Sequence, residues 1–327
     1  MKECGKMSLA TIIGGIAGGT VALGSAVFAG ASIKLFNQVI PRHDSLQVDL
    51  SEMADMQKWE EYKKIMVPKK QWLLEQNIEK INIKSRDNLK LQGYYIPAEK
   101  ESNKIVLMSH GYSSKAMNDF SSLAYFYYKL GFDCFLYDHR AHGESEGDYV
   151  GFGILDRFDC LNWIKYIDKR FKGKKQIILH GISMGGATVL MTSGFDELPE
   201  SVKCIIADCA FTSPHDVFAH ILKRDYKLPP FPIMNISSSL CKKYAGYGFK
   251  DYSTLTAVKK TKCPILFIHG DEDNFVPTYM SNENYNACNS PKELLIIKNA
   301  GHGASYYENQ KQYEDAILKF VNKWITE

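Results

Sequence analysis

The chain has 327 residues, 45% of them hydrophobic and 24% charged, a balance that fits a soluble globular protein and disfavours disordered, collagen-like and multi-pass membrane classes. Its formal charge of +3 resides in the first 42 residues, where Lys2, Lys6, Lys34 and Arg42 stand against Glu3, so the remainder is balanced. A balanced body without a run of Lys and Arg carries no electrostatic footprint for nucleic acid, and no such partner is expected.

From Met7 to Ile33 the chain runs for 27 positions without a charge, long enough to cross a bilayer core as a helix. Lys2 and Lys6 precede this run, and Val27-Phe28-Ala29 offers a small-residue cleavage site. The run exceeds the usual apolar core of a cleaved signal peptide, which favours an uncleaved membrane anchor through residues 7–33 over cleavage and secretion, and over a helix buried in the domain. The ordinary signal-anchor arrangement places the large domain outside the cytoplasm. Residues 1–42 are therefore read as leader, 43–77 as a helical connector packed on the domain, and 78–327 as the catalytic domain. The eight cysteines are scattered without a C-x-x-C pair, and several sit in apolar runs, as free buried thiols do.

From residue 78 short β-branched runs alternate with helical periods, the pattern of a mostly parallel sheet covered on both faces. Residues 78–84 and 89–96 flank the turn Arg86-Asp87-Asn88 and read as an antiparallel hairpin. Six further strands are predicted at 104–108, 132–137, 176–179, 202–207, 264–268 and 293–297, giving eight in all. Helices are predicted at 117–130, 154–170, 184–193, 277–287 and 306–325. Residues 211–260 are too long for an ordinary connection and read as a short helical cap insertion, rich in apolar side chains around Pro229-Pro230-Phe231-Pro232.

The strand at 176–179 runs into Gly181-Ile182-Ser183-Met184-Gly185-Gly186 and then a helix. A serine in a sharp strand-to-helix turn is strained and exposed above the sheet, with the helix N-terminus aimed at any oxyanion that forms beside it. A serine hydroxyl needs a base, and the base needs an orienting acid. His302, in the glycine-bracketed loop Asn299-Ala300-Gly301-His302-Gly303, is the best base among the nine histidines. His110, His139, His142, His180 and His269 read as structural. Asp273 is the preferred acid in His269-Gly270-Asp271-Glu272-Asp273-Asn274-Phe275-Val276-Pro277; Asp271 and Glu272 read as turn or solvated residues, and Asp208 remains the competitor.

In the order Ser183, Asp273, His302 the chain resembles the α/β-hydrolase superfamily over residues 78–327. Four motifs carry the likeness: His110-Gly111-Tyr112, the segment Asp138-His139-Arg140-Ala141-His142-Gly143-Glu144-Ser145, the serine turn, and the paired HGDEDNFVP and AGHG loops. The resemblance implies an α/β-hydrolase fold, Asp273 as the triad acid, and an oxyanion hole from the backbone N–H groups of Tyr112 and Met184. The segment Asp208 to Ser213 and the helical N-terminal extension look most like membrane-anchored bacterial relatives of prolyl-oligopeptidase-like hydrolases and the acyl-CoA thioesterase and acyltransferase group. Ala141 departs from the pattern, since many relatives have Gly there.

These features point to a serine hydrolase acting on a small-molecule acyl ester, with no cofactor and no metal needed and no Cys/His/carboxylate cluster at ligand spacing. A peptidase or amidase, and a thioesterase or acyltransferase, are the enzymatic alternatives. A membrane-tethered binding protein that keeps the fold is the non-enzymatic one.

Overall fold

The computed structural model describes residues 21–43 and 56–326. Its centre is an eight-stranded sheet in the order β1-β2-β4-β3-β5-β6-β7-β8. The strands are β1 (Glu79–Lys84), β2 (Lys90–Ile96), β3 (Lys104–Ser109), β4 (Asp133–Tyr137), β5 (Gln176–Ile182), β6 (Val202–Asp208), β7 (Ile265–Gly270) and β8 (Lys292–Ile297). β1 and β2 form the expected antiparallel hairpin, β2 pairs antiparallel with β4, and all later pairings are parallel.

Side chains alternate across a strand, so each central strand feeds two cores. Val106, Cys134, Ile178, Ile206 and Ile268 point into one, while Ile105, Phe135, Leu179, Ile205 and Phe267 point into the other. The first core is closed by α2 (Met56–Leu74), α4 (Ser121–Lys129) and α12 (Gln310–Val321); the second by α5 (Asp156–Arg170) and α6 (Met184–Thr192). The short helices α3 (Ala116–Asp119) and α11 (Ser305–Glu308) precede α4 and α12, where longer single helices were expected. β5 extends to Ile182 rather than stopping at Leu179, which carries the strand directly into the serine turn. α10 (Tyr279–Ala287) starts two residues after Pro277.

The insertion folds as α7 (Pro214–Tyr226), α8 (Pro230–Ala245) and α9 (Thr254–Val258). Ser213 and Ser253 cap α7 and α9 by accepting from the N–H groups of Asp216 and Thr256, and Gly246 ends α8 in the left-handed region. A third apolar cluster lies beneath α7 and α8 and includes Phe218, Leu222, Ile233, Met234 and Met184.

The N-terminal segment divides. Residues 7–20 of the apolar run, and residues 44–55 of the connector, lie outside the described residues. The rest of the run is part of helix α1 (Val21–Val39), which packs on the cap: Phe36 and Ile40 are buried in the third cluster, and Ser237 Oγ donates to Ser32 O at 3.0 Å. Ala29, the last residue of the candidate cleavage site, is inside this helix. Among the described residues no helix is long and apolar enough to cross a membrane. α2 lies against α4 through Leu73 and through Trp72, whose ring meets Tyr125 and Tyr128 at 5.1 and 5.0 Å. All seven cysteines among the described residues are free and buried.

Candidate active site

The ends of β5, β7 and β8 deliver three side chains to one point. Ser183 takes φ 55° and ψ −115°, a strained backbone held because Gly181 and Gly185 let the turn close. A Cβ at Gly185 would lie 1.7 Å from Ser109 O, far inside contact distance, and one at Gly181 would collide with the Gly185 carbonyl. Ser183 N–H donates to Asp208 O at 2.8 Å, which fixes the turn to the neighbouring strand. Met184, the first residue of α6, has a backbone N–H without an intrahelical acceptor, as at every helix start.

His302 bridges the other two residues. Its Nε2 shares a 2.9 Å hydrogen bond with Ser183 Oγ, and its Nδ1 a 2.7 Å bond with Asp273 Oδ2. Asp273 Oδ1 accepts from the N–H groups of Phe275 and Val276, both at 2.9 Å. Burial alone would raise the Asp273 carboxyl, but His302 and His269 outweigh it and hold it well below the usual carboxylate range. Burial pulls His302 down, and the charges of Asp273, Asp208 and Asp119 overcome it, so the imidazole titrates above its ordinary 6.5. The structure therefore places Ser183, His302 and Asp273 in contact, while Asp208 sits behind them and bonds Tyr313 and Ser305 instead. Asp271 accepts from Asn299 N–H in the adjoining loop.

On the other side of Ser183, the loop after β3 holds the Tyr112 amide between two pinned neighbours. Gly111 N–H donates to Asp119 Oδ2 at 2.7 Å, and Ser113 N–H to His142 Nε2 at 3.3 Å. The Tyr112 ring meets Phe152 at 5.0 Å, and its hydroxyl donates to Val39 O, at the end of α1, at 3.1 Å.

Sequence reasoning missed several residues that hold this frame. His269 is a direct support of the acid: its Nε2 lies 3.1 Å from Asp273 Oδ2, with Ser281 Oγ at 2.6 Å from its Nδ1. Its place four residues before Asp273 in a tight loop was the available signal. Asp119 carried none, because its partner Gly111 meets it only through the fold. Burial drives His142 down to about 4, which keeps it the neutral acceptor that Ser113 needs. The fold also gathers Cys209 Sγ, Asp273 and His302 within 4.8 Å, a grouping invisible in spacing; burial, reinforced by the charges of Asp208 and Asp273, raises Cys209 strongly and keeps it a neutral thiol.

The defining pattern of the Prolyl oligopeptidase family matches residues 153–327, more than half of the chain and all three of these side chains. The chain belongs to the prolyl oligopeptidase family. Its sequence is 28% identical over 232 residues to the uncharacterized protein YqkD of Bacillus subtilis, covering 71% of this chain and 75% of that one. It is 25% identical over 251 residues to the uncharacterized membrane protein YNL320W of Saccharomyces cerevisiae, covering 74% and 79%. The esterase Pf2001 of Pyrococcus furiosus shares the fold at a TM-score of 0.64, with 23% identity over 78% of this chain and 94% of that one. The acylaminoacyl peptidase of Pyrococcus horikoshii shares it at 0.54, with 19% identity over 77% of this chain but only 42% of the other. The family and these neighbours make the fold that of an α/β-hydrolase, of the serine hydrolase type.

Proposed function

We propose that the chain is a carboxylic ester hydrolase that works through an acyl-enzyme on Ser183. The observation that carries the reading is the unbroken relay from Ser183 Oγ through His302 to Asp273, with bonds of 2.9 and 2.7 Å. In it Ser183 attacks the substrate carbonyl as His302 Nε2 takes its proton. Asp273 holds the ring tautomer and offsets the imidazolium charge. The N–H groups of Tyr112 and Met184 receive the oxyanion, each worth about 3 kcal/mol in the transition state. His302 returns the proton to the departing alcohol and then activates the water that releases the acid.

Two features favour an ester over a peptide. The cluster that joins the cap to the body beside the nucleophile is apolar, with Phe218 of the cap in edge contact with Phe152 of the body at 4.8 Å and Met184, the residue after Ser183, in the same cluster. The insertion has three carboxylates, and each has a partner: Asp216 Oδ2 accepts from the Thr212 and Ser213 hydroxyls, Asp225 pairs with Arg224, and Asp251 pairs with Lys242. None is left over to receive a substrate amine. A small-molecule acyl ester is thus the proposed substrate, and attachment to a membrane through the leader, with the catalytic domain outside the cytoplasm, belongs to the same proposed reading. The test is hydrolysis of p-nitrophenyl esters of increasing acyl length by the full chain and by Ser183→Ala. Turnover that vanishes in the variant is the expected result; no turnover of any ester by the parent, with turnover of an acyl-amide, would replace the ester by a peptide-like substrate.

A further inference from the structure

Two contacts set the direction in which α1 lies on the cap. Ser32 O meets Ser237 Oγ at 3.0 Å, and further along both helices the Phe36 ring meets the Tyr244 ring at 5.7 Å. α1 and α8 therefore run side by side in the same sense, and Val21, where α1 begins, lies toward the Pro230 end of α8. That is the end from which the 7–20 part of the leader continues, without a charge from Met7 onward.

The same end of the cap carries two exposed aromatic side chains. Phe231, in Pro229-Pro230-Phe231-Pro232, is 73% exposed, and Tyr226, the last residue of α7, is 39% exposed. Exposed Lys223 and Lys227 flank them, with Arg224 paired to Asp225, so the tip is positively charged as well as apolar. Exposed aromatic rings beside basic groups are what a bilayer interface with anionic headgroups accepts. Behind the tip the apolar cluster continues inward through Leu222, Ile233 and Met234 to Met184, the residue after the nucleophile.

We propose that the α7–α8 tip of the cap docks on the bilayer in which the leader is held, and that it admits a membrane-resident, long-chain acyl ester to Ser183. The proposal rests on the ester-hydrolase and membrane-attachment readings above and adds the source of the substrate. The leader and the tip then engage one membrane from the same end of the cap. The acyl chain passes from lipid to the apolar cluster without crossing water.

The test uses the full chain reconstituted in phosphatidylcholine vesicles containing phosphatidylglycerol. A Phe231→Trp variant should gain fluorescence that brominated phosphatidylcholine quenches beyond the quenching of the parent. A Tyr226→Ser, Phe231→Ser double variant should keep p-nitrophenyl acetate turnover in solution and lose about tenfold or more on a long-chain p-nitrophenyl ester dispersed in the vesicles, since an aromatic ring seated in lipid is replaced by a hydroxyl. Added indole fluorescence that brominated lipid leaves unquenched in the Phe231→Trp variant would overturn the docking. Quenching with unchanged turnover of the vesicle-borne ester would overturn the entry route. Quenching with no turnover of either ester by the parent would leave the docking standing and remove the ester reading.

Discussion

The catalytic end of the sheet and the cover above it are built by different rules. Ser183, Asp273 and His302 each stand within five residues of a strand end, so local turn chemistry positions them once the strands pair. The cover is assembled at long range: Ser237 meets Ser32 across 205 residues, Arg42 donates to Ser145 O across 103, and Tyr247 donates to Val150 O across 97. The floor of the site is thus fixed by the sheet, whereas its roof depends on an N-terminal helix that the family pattern over 153–327 does not include.

The comparison breaks most sharply if the floor is altered. Ser183→Ala and His302→Ala should each lower kcat about 10⁶-fold, with the double variant no worse than either alone, because the two act as a unit. Asp273→Asn should cost about 10⁴-fold by misdirecting the imidazole tautomer. Steady-state ester hydrolysis checks these values, and thermal melts should show the fold retained.

Altering the roof should act on stability first. Ile40 is fully buried among cap and body residues at the end of α1. Ile40→Ala should cost about 2–5 kcal/mol in denaturant unfolding. Removal of residues 1–42 should cost more, because Phe36 and the Arg42 bonds to Gly143 O and Ser145 O go with it. A truncated chain as stable as the full one would show that α1 is an appendage rather than part of the roof.

The unevenness between floor and roof also explains how much was readable beforehand. The hairpin follows from alternating apolar and polar residues, the parallel strands from short continuous apolar runs, and the serine turn and the Asp273 and His302 loops from glycines beside strand ends, all of them short-range signals. Helix α1 was hidden inside a run that satisfies the length and hydropathy of a bilayer span. A helix that packs on an apolar cap and one that sits in lipid need the same residues, and only the contacts of Ser32 and Phe36 tell the described part from a span. Asp119 depended on a neighbour that only the fold brings to it, whereas the supporting role of His269 was signalled only by its place four residues before Asp273. The single long helices expected near residues 117–130 and 306–325 each break at a turn before their longer part, at Phe120 and Asn309, whose backbones leave the helical region.

The pH profile sharpens the account of the floor. His302 must be neutral to accept the Ser183 proton, and its pKa is raised, so kcat/KM should rise with pH through a value above 6.5. Asp208, itself pushed up to about 6 by burial, is one of the charges that raise it. Asp208→Asn should move that rise to lower pH; a profile that stays in place would take Asp208 out of the electrostatics of the base.

The smallest expected effect concerns Ala141, which sits at φ 59° in the left-handed region. The Cβ is a steric cost there, at the position where the resemblance to the α/β-hydrolases leads one to expect glycine. Ala141→Gly should stabilise by up to about 1 kcal/mol, reduced by the greater freedom of glycine in the unfolded chain, with activity unchanged.

The central claim is that Ser183 is a nucleophile activated by His302, and covalent trapping tests it most directly. The full chain, treated with a fluorophosphonate and digested for mass spectrometry, should carry a single adduct on the peptide containing Ser183, and His302→Ala should label far more slowly. An unlabelled Ser183, or a label of equal rate with His302 removed, would contradict the account.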